Sequence, residues 1–272
     1  MTATREELMR AHEDRWTQWI PKDEYLVIRL DGRAFHSFTK NMSRPYSIAF
    51  MWSMDRVAAR LCEQIQGARF AYVQSDEISI LVTSFGFKTQ QWFGGSVRKT
   101  LSISAGLASS AMTLEWSACG EDNKDNPTLN SDGSPSTPHF DSRILTFAAR
   151  EDVFRYFFWR QSDAARNAIQ MTAQHLYPHK ALHGKDRYEQ LKMIEAAGVD
   201  YEAHIPAGFR NGRILIPVPQ ELTHTYTHKK TGESETVSFV RNVWEASPAS
   251  WFDWDEMGFL GNIIPANTKE SA

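Results

Sequence analysis

Two short runs carry acids where chemistry could use them. Arg29-Leu30-Asp31-Gly32-Arg33 follows the apolar Tyr25-Leu26-Val27-Ile28. Gln74-Ser75-Asp76-Glu77 lies between Phe70-Ala71-Tyr72-Val73 and Ile78-Ser79-Ile80-Leu81-Val82. An apolar strand that ends in an acid sets that acid at a sheet edge, within reach of water and ions. Hard cations take oxygen ligands, and Mg2+ is usually held by one or two carboxylates together with substrate phosphates. Two such acids on neighbouring strands suit a pair of Mg2+ ions and point to phosphoryl or nucleotidyl transfer.

The two halves of this pattern are not equally strong alone. Asp31-Gly32 by itself reads as a turn; for Ser75-Asp76-Glu77 the bland reading is a polar hairpin corner, but two acids and a serine between two very apolar strands favour a site. Pairing across adjacent strands makes a site the better reading of Asp31 as well. Arg29 is a charge inside an apolar strand and needs a partner or a ligand; an ion pair to Asp31 or Asp76 competes with a ligand role. Asp141 and Arg143 read equally well as an internal pair or as functional groups. Arg160 and Asp163 read as structural, tying a helix to the sheet. Arg44, Arg98 and Lys99 fit solvated surface charges, with phosphate contact favoured for Arg44 and Lys99. His175, His179 and His183 recur every four residues, but Pro178 interrupts them, and with His224 and His228 they read as surface or packing residues.

The elements that must position these groups follow from periodicity. Residues 4–18 read as a charged helix with Leu8, Trp16 and Trp19 near one side, and 25–30 as a strand. Phe35 to Arg44 reads as a polar connection. Within 46–66, Phe50, Met51, Met54, Ala58, Leu61, Cys62 and Ile65 fall at helical steps, and Gly67 follows as a stop. Residues 68–74 and 77–83 read as a hairpin, 89–114 as a second long helix, 117–139 as a loop and Ile144 to Phe147 as a strand. Residues 151–176 and 186–197 read as helices. Arg213–Val218, Leu222–His228 and Thr236–Val240 read as strands, with a turn at Lys229 to Glu233. The aromatic, acidic tail Trp251 to Asp255 is expected to pack back on the body.

Through residue 147 the order is strand, helix, strand, strand, helix, strand, the split βαββαβ arrangement in which the first and third strands are central neighbours. Neighbouring strands lie about 4.8 Å apart, so Asp31 and Asp76 can approach one metal pair. The expected fold class is therefore α+β: a polymerase-palm-like, ferredoxin-like domain over 1–150. Helical and β-hairpin additions over 151–272 pack on it as one structural unit.

The bulk numbers bound the partners. The 272 residues are 42% apolar and 23% charged, with 30 basic and 33 acidic side chains. That is ordinary for a globular protein, and any nucleic-acid contact must come from a local patch. Cys62 and Cys119 form neither a metal-type spacing nor a disulfide framework, which fits a reducing cytoplasm. Met1 to Glu7 is polar and unlike a signal peptide, and no apolar run is long enough to span a membrane.

The run Ile28-Arg29-Leu30-Asp31-Gly32-Arg33-Ala34-Phe35-His36-Ser37-Phe38 resembles the first motif of the tRNA-His guanylyltransferase family. Tyr72-Val73-Gln74-Ser75-Asp76-Glu77-Ile78-Ser79, Phe140-Asp141-Ser142-Arg143 and Trp159-Arg160-Gln161-Ser162-Asp163 follow in the family's order and spacing. The resemblance implies a palm-like catalytic domain, assembled as a homotetramer, that adds nucleotides in the 3′→5′ direction to the 5′ end of tRNA or tRNA-like RNA. It implies Asp31, Asp76 and Glu77 as catalytic residues, and two Mg2+ ions held by Asp31, Asp76 and the Gly32 carbonyl. It implies ATP and GTP or other nucleoside triphosphates as substrates, contacted by Arg29, Phe35, His36, Arg44, Ser75 and Lys99. ATP would activate a 5′-monophosphate, and the 3′-OH of the incoming nucleotide would then displace AMP.

One departure bears on specificity. Where eukaryotic members continue Cys-His-Ile-Asn-Asn, this chain has Ala164-Ala165-Arg166-Asn167-Ala168. Loss of the His and the second Asn resembles the guanylyltransferase-like branch that prefers templated addition and repair of 5′-truncated RNA. The rivals are a guanylyltransferase adding a single G to tRNA-His, a palm-fold nucleotide cyclase and a non-catalytic RNA-binding module.

Overall fold

The structure, a computed structural model, describes residues 4–85, 89–118, 134, 136–227, 229, 232–252 and 258–267. In chain order it contains α1 (Arg5–Asp14), β1 (Tyr25–Arg33), α2 (Phe35–Phe38), α3 (Ile48–Gln64), β2 (Ala68–Gln74), β3 (Glu77–Val82), α4 (Val97–Ala118) and β4 (His139–Phe147). There follow α5 (Arg150–Leu176), α6 (His179–Leu182), α7 (Arg187–Ala196), α8 (Tyr201–His204), α9 (Ala207–Arg210), β5 (Arg213–Thr227), β6 (Ser234–Pro248) and α10 (Gly258–Ile263). The six strands form one antiparallel sheet in the order β4-β1-β3-β2-β5-β6. Its first four strands are the βαββαβ unit, with β1 and β3 central as the element order required.

Side-chain parity assigns the two faces. On β1 and β3, Leu26, Ile28, Leu30, Ile78, Ile80 and Val82 join Met54, Val57, Leu61 and Met112 of α3 and α4 in one core. Tyr25, Val27 and Leu81 face the other way and pack with Val153, Phe154 and Phe157 of α5. Helices cover both faces, so β3 is buried at every position. This is why its sequence runs apolar almost without alternation. The same parity sends Arg29, Asp31, Glu77 and Ser79 toward α5. The second half of α5 packs with α6, α7 and α8 in a smaller third cluster.

Several boundaries differ from the sequence reading. β1 continues through Arg33, so Asp31 and Gly32 lie within the strand, because β4 pairs with it along its whole length. The supposed polar connection after it holds α2 and buries Phe35, Phe38 and Met42. The second long helix begins at Val97, after a single 3-10 turn over Trp92–Gly95. The two strands expected over 213–228 are one, since β6 pairs with β5 from Arg213 opposite Pro248 to Thr227 opposite Ser234. α1 stops at Asp14, before Trp16 and Trp19, and buries none of its residues. Most of the 117–139 loop, and residues 253–255 of the tail, fall outside the described residues. Of that tail, Phe252 is buried and meets the Tyr72 ring at 5.7 Å.

Candidate active site

Three carboxylates stand in one row across three strands: Asp31 lies opposite Glu77 of β3 and Asp141 of β4. One pleat back, Arg29 lies opposite Arg143. The row is threaded with ion pairs. Arg29 Nη2 is 2.7 Å from Glu77 Oε2 and 3.8 Å from Asp31 Oδ2, and Arg143 is 3.3 Å from Asp141 and 3.7 Å from Asp31. From α5, Arg160 grips Glu77 with two hydrogen bonds, at 2.8 and 2.9 Å, and donates to Asp163 at 2.8 Å. A bidentate, buried pair of this kind is among the stronger side-chain contacts. Ser79 Oγ also reaches Glu77, at 3.4 Å, and lies 2.8 Å from the Tyr156 hydroxyl.

Asp76 is different. It occupies the two-residue turn between β2 and β3, where Ser75 takes a left-handed backbone with φ 45°. Such a φ is unusual for a residue with a Cβ and is found at sites that hold a group in a set place. Gly32 N–H donates to the Asp76 carbonyl at 3.1 Å, which fixes the turn against β1. A Cβ at Gly32 would lie 2.4 Å from the Phe35 ring, so only glycine allows that ring to pack there. Among the described residues Asp76 has no ion-pair partner. Burial first, and then the charge of Asp31, push its carboxyl up to about 6, against relief from its own backbone and Ser75 hydrogen bonds.

Two clefts meet at this turn. One, of about 370 Å3, is lined by Arg29, Asp31, Ser75, Asp76 and Glu77 on the sheet side, and by Arg160, Asn167, Gln170, Met171 and Gln174 of α5. The other, of about 350 Å3, shares Ser75, Asp76, Met171 and Gln174 and extends over His36, Arg44, Tyr46, Phe50 and Phe209. A larger cavity of about 730 Å3 lies around Ala165, Tyr201, Arg210 and Trp251. It touches neither Asp31 nor Asp76, so size alone does not mark the chemical centre.

The residues singled out from sequence are brought together unequally. Asp31, Asp76, Glu77, Arg29 and Ser75 converge, and His36 and Arg44 line the adjoining cleft. Phe35 lines it too, but is buried in an aromatic group with Phe38, Phe50 and Phe140. Lys99 lines neither cleft. It is exposed on α4, which covers the sheet face opposite to that of Asp31. Ser109 of α4 accepts from Phe140 N beside Gly32, and Lys99 lies about 15 Å back along the helix from it. Arg29 pairs most closely with Glu77 and more loosely with the expected Asp31, and makes no pair with Asp76 among the described residues. Arg160 and Asp163 tie α5 to the sheet, and the partner on the sheet is Glu77. The α5 row of Asn167, Gln170, Met171 and Gln174 was not singled out as lining; its spacing of three and four residues is the signal that could have found it.

No group of three or more His, Cys, Asp or Glu suited to a metal occurs among the described residues. Asp31 and Asp76 nevertheless fit Mg2+, which is commonly held by one or two carboxylates plus phosphate oxygens. Asp76 is a largely buried acid without a cation, raised by a neighbouring acid, and a divalent ion is the charge that would relieve it.

An α+β sheet with paired acids at a hairpin turn, and two clefts meeting on them, has the layout of a nucleotidyltransferase. A family model described as tRNAHis guanylyltransferase matches residues 6–148. The chain belongs to the tRNAHis guanylyltransferase family, and is an enzyme of the nucleotidyltransferase class. It is 28% identical over 277 aligned positions to the tRNA(His) guanylyltransferase of Schizosaccharomyces pombe, covering 97% of this chain and 100% of that one. Matches to the mouse and human proteins span about half of their length, 46% in each. Among solved structures, a bacterial tRNA(His) guanylyltransferase-like protein in complex with ATP superposes with a TM-score of 0.78 at 23% identity, over 97% of this chain and 100% of that chain. One in complex with GTP gives 0.67 at 23% identity, over 92% and 94%. At that identity these two establish the fold.

Proposed function

We propose that this enzyme adds nucleotides in the 3′→5′ direction to the 5′ end of tRNA or tRNA-like RNA, directed by the opposing strand. A nucleoside triphosphate, ATP or GTP, first activates the RNA 5′-phosphate. The observation that carries the reading is the junction of two clefts at Asp76, with Asp31 beside it, on this family's scaffold. A triphosphate in one cleft and an RNA end in the other would bring their phosphates to the same acids.

Asp31 and Asp76, with the Gly32 carbonyl, would hold Mg2+, which supplies charge neutralisation and acidifies a bound hydroxyl. Arg44 and His36 hold the triphosphate, and Tyr46 and Phe50 flank its base. Glu77 acts as a positioning residue: with both oxygens taken by Arg29 and Arg160, it fixes the spacing of the row. This geometry matters because a misplacement of about 1 Å can cost on the order of 10²-fold in rate.

Templated addition is supported by Ala165 and Ala168 standing where eukaryotic members carry His and Asn. Of the five residues 164–168, Asn167 lines the acid cleft and Ala165 lines the larger cavity. A homotetramer is proposed with it, supported by the exposed Trp16, Trp19, Trp52 and Val240, which a second copy could cover. Among the described residues no helix is long and apolar enough to cross a membrane.

The test is incubation with a 5′-truncated, 5′-monophosphorylated tRNA, ATP and each nucleoside triphosphate, read by product length. Extension opposite a complementary base supports the reading. A single G added equally well opposite A and C restores the single-G guanylyltransferase. A cyclic nucleotide formed without RNA would show a cyclase instead.

A further inference from the structure

Beside the turn acids, two groups of polar side chains line the acid cleft. Arg29, Glu77, Arg160 and Asp163 are engaged in ion pairs. Asn167, Gln170 and Gln174, across the cleft on α5, make no hydrogen bond among the described residues. Their spacing puts them on one helix face with Met171 between them. From Asn167 to Gln174 the row is about 10 Å long, enough to run along a few stacked base pairs.

We propose that this amide row contacts the minor-groove edge of the base-paired RNA end, and so checks that the pair at the growing 5′ terminus is correctly shaped. The proposal rests on the nucleotide-addition reading and names what part of the RNA the cleft recognises. The row is uncharged and faces carboxylates, so it is not a phosphate cradle. Amides both donate and accept, which suits base edges. In the minor groove, purine N3 and pyrimidine O2 are acceptors in every Watson–Crick pair, whatever the sequence. The A-form minor groove is wide and shallow and displays the 2′-hydroxyls beside those edges. Amide donors aimed there would register pair geometry without selecting a base, which is what templated addition needs. Met171 adds an apolar surface at the centre of the row.

The test is a Gln170→Ala/Gln174→Ala double variant. Both side chains are exposed, and an unchanged melting temperature would confirm the fold. Affinity is read by fluorescence anisotropy on a 5′-monophosphorylated RNA hairpin, with and without 3-deazaguanine in its terminal pair. Addition is read on the same hairpins with ATP and GTP. The variant should bind the unmodified hairpin roughly 10- to 30-fold more weakly, the loss of two ordinary hydrogen bonds. Its preference for C over A opposite the incoming G should fall by a similar factor. The deaza substitution should weaken binding to the unsubstituted protein and not to the variant. Unchanged affinity and preference, or an equal deaza penalty in both proteins, would overturn the proposal. So would an equal loss of affinity for single-stranded RNA. If the unsubstituted protein extends no RNA while the deaza effect on binding still disappears in the variant, the row stands and the addition reading falls.

Discussion

Two hairpins of the same sheet, β2–β3 and β5–β6, share antiparallel pairing and little else. In β2–β3 helices cover both faces, and the turn between them carries Asp76. In β5–β6 the 15-residue strands are fully buried only at Arg213–Leu215, with Ile216 and Trp244 partly covered, and their far halves are exposed, with Val240 70% exposed and Phe239 43%. Backbone pairing alone suffices to build a strand ladder. Holding a turn with a left-handed Ser75 and a largely buried acid at Asp76 takes packing on both faces, because the surrounding structure must over-determine it.

The comparison is most sharply tested at the turn. Asp76→Asn should lower nucleotide addition on the order of 10³-fold or more, the several kcal/mol of charge stabilisation lost with the acid, while circular dichroism stays native. Near-normal turnover would remove Asp76 from the site. Next in size is the clamp: Arg160→Ala leaves Glu77 short of a buried partner and should cost about 3–5 kcal/mol in urea unfolding. A loss below 1 kcal/mol would mean that α5 is held to the sheet by apolar packing alone.

Matched truncations separate the two hairpins directly. Phe70→Ala empties a fully buried site of β2 and should cost about 3–5 kcal/mol. Phe239→Ala on the projecting part of β6 should stay within about 0.5 kcal/mol. Similar losses at both would show that β6 is covered in solution, as self-association would do.

The turn also leaves its mark on the pH dependence. The Asp76 carboxyl, raised to about 6 in the folded protein, binds its proton more tightly there than in the unfolded chain. Its contribution to stability therefore falls as pH rises from about 4 to about 6. Metal-free Asp76→Asn lacks this penalty. It should gain up to about 3 kcal/mol over the parent at pH 7.5 and almost nothing at pH 4. Added Mg2+ should narrow the gap; a gap that persists unchanged at every pH would refute the electrostatic account.

The sequence alone determined the βαββαβ order of the catalytic half, the central place of β1 and β3, and the two aspartates that line one cleft at their ends. These are legible because strand alternation, helical steps and turn residues are local, and because element order restricts the sheet to few topologies. The end of the site away from the turn was not legible. That Glu77 belongs to Arg160, 83 residues away, depends on which face of the sheet α5 lands upon. So does the fact that Lys99, on α4, is left behind the opposite face. The amide row of Gln170 and Gln174 was hidden for the same reason, since exposed glutamines on a helix look alike until something across from them is known. Periodicity reports what each segment does with its own neighbours. Which charge meets which, and which polar face borders a cleft, is decided only when helices choose their side of the sheet.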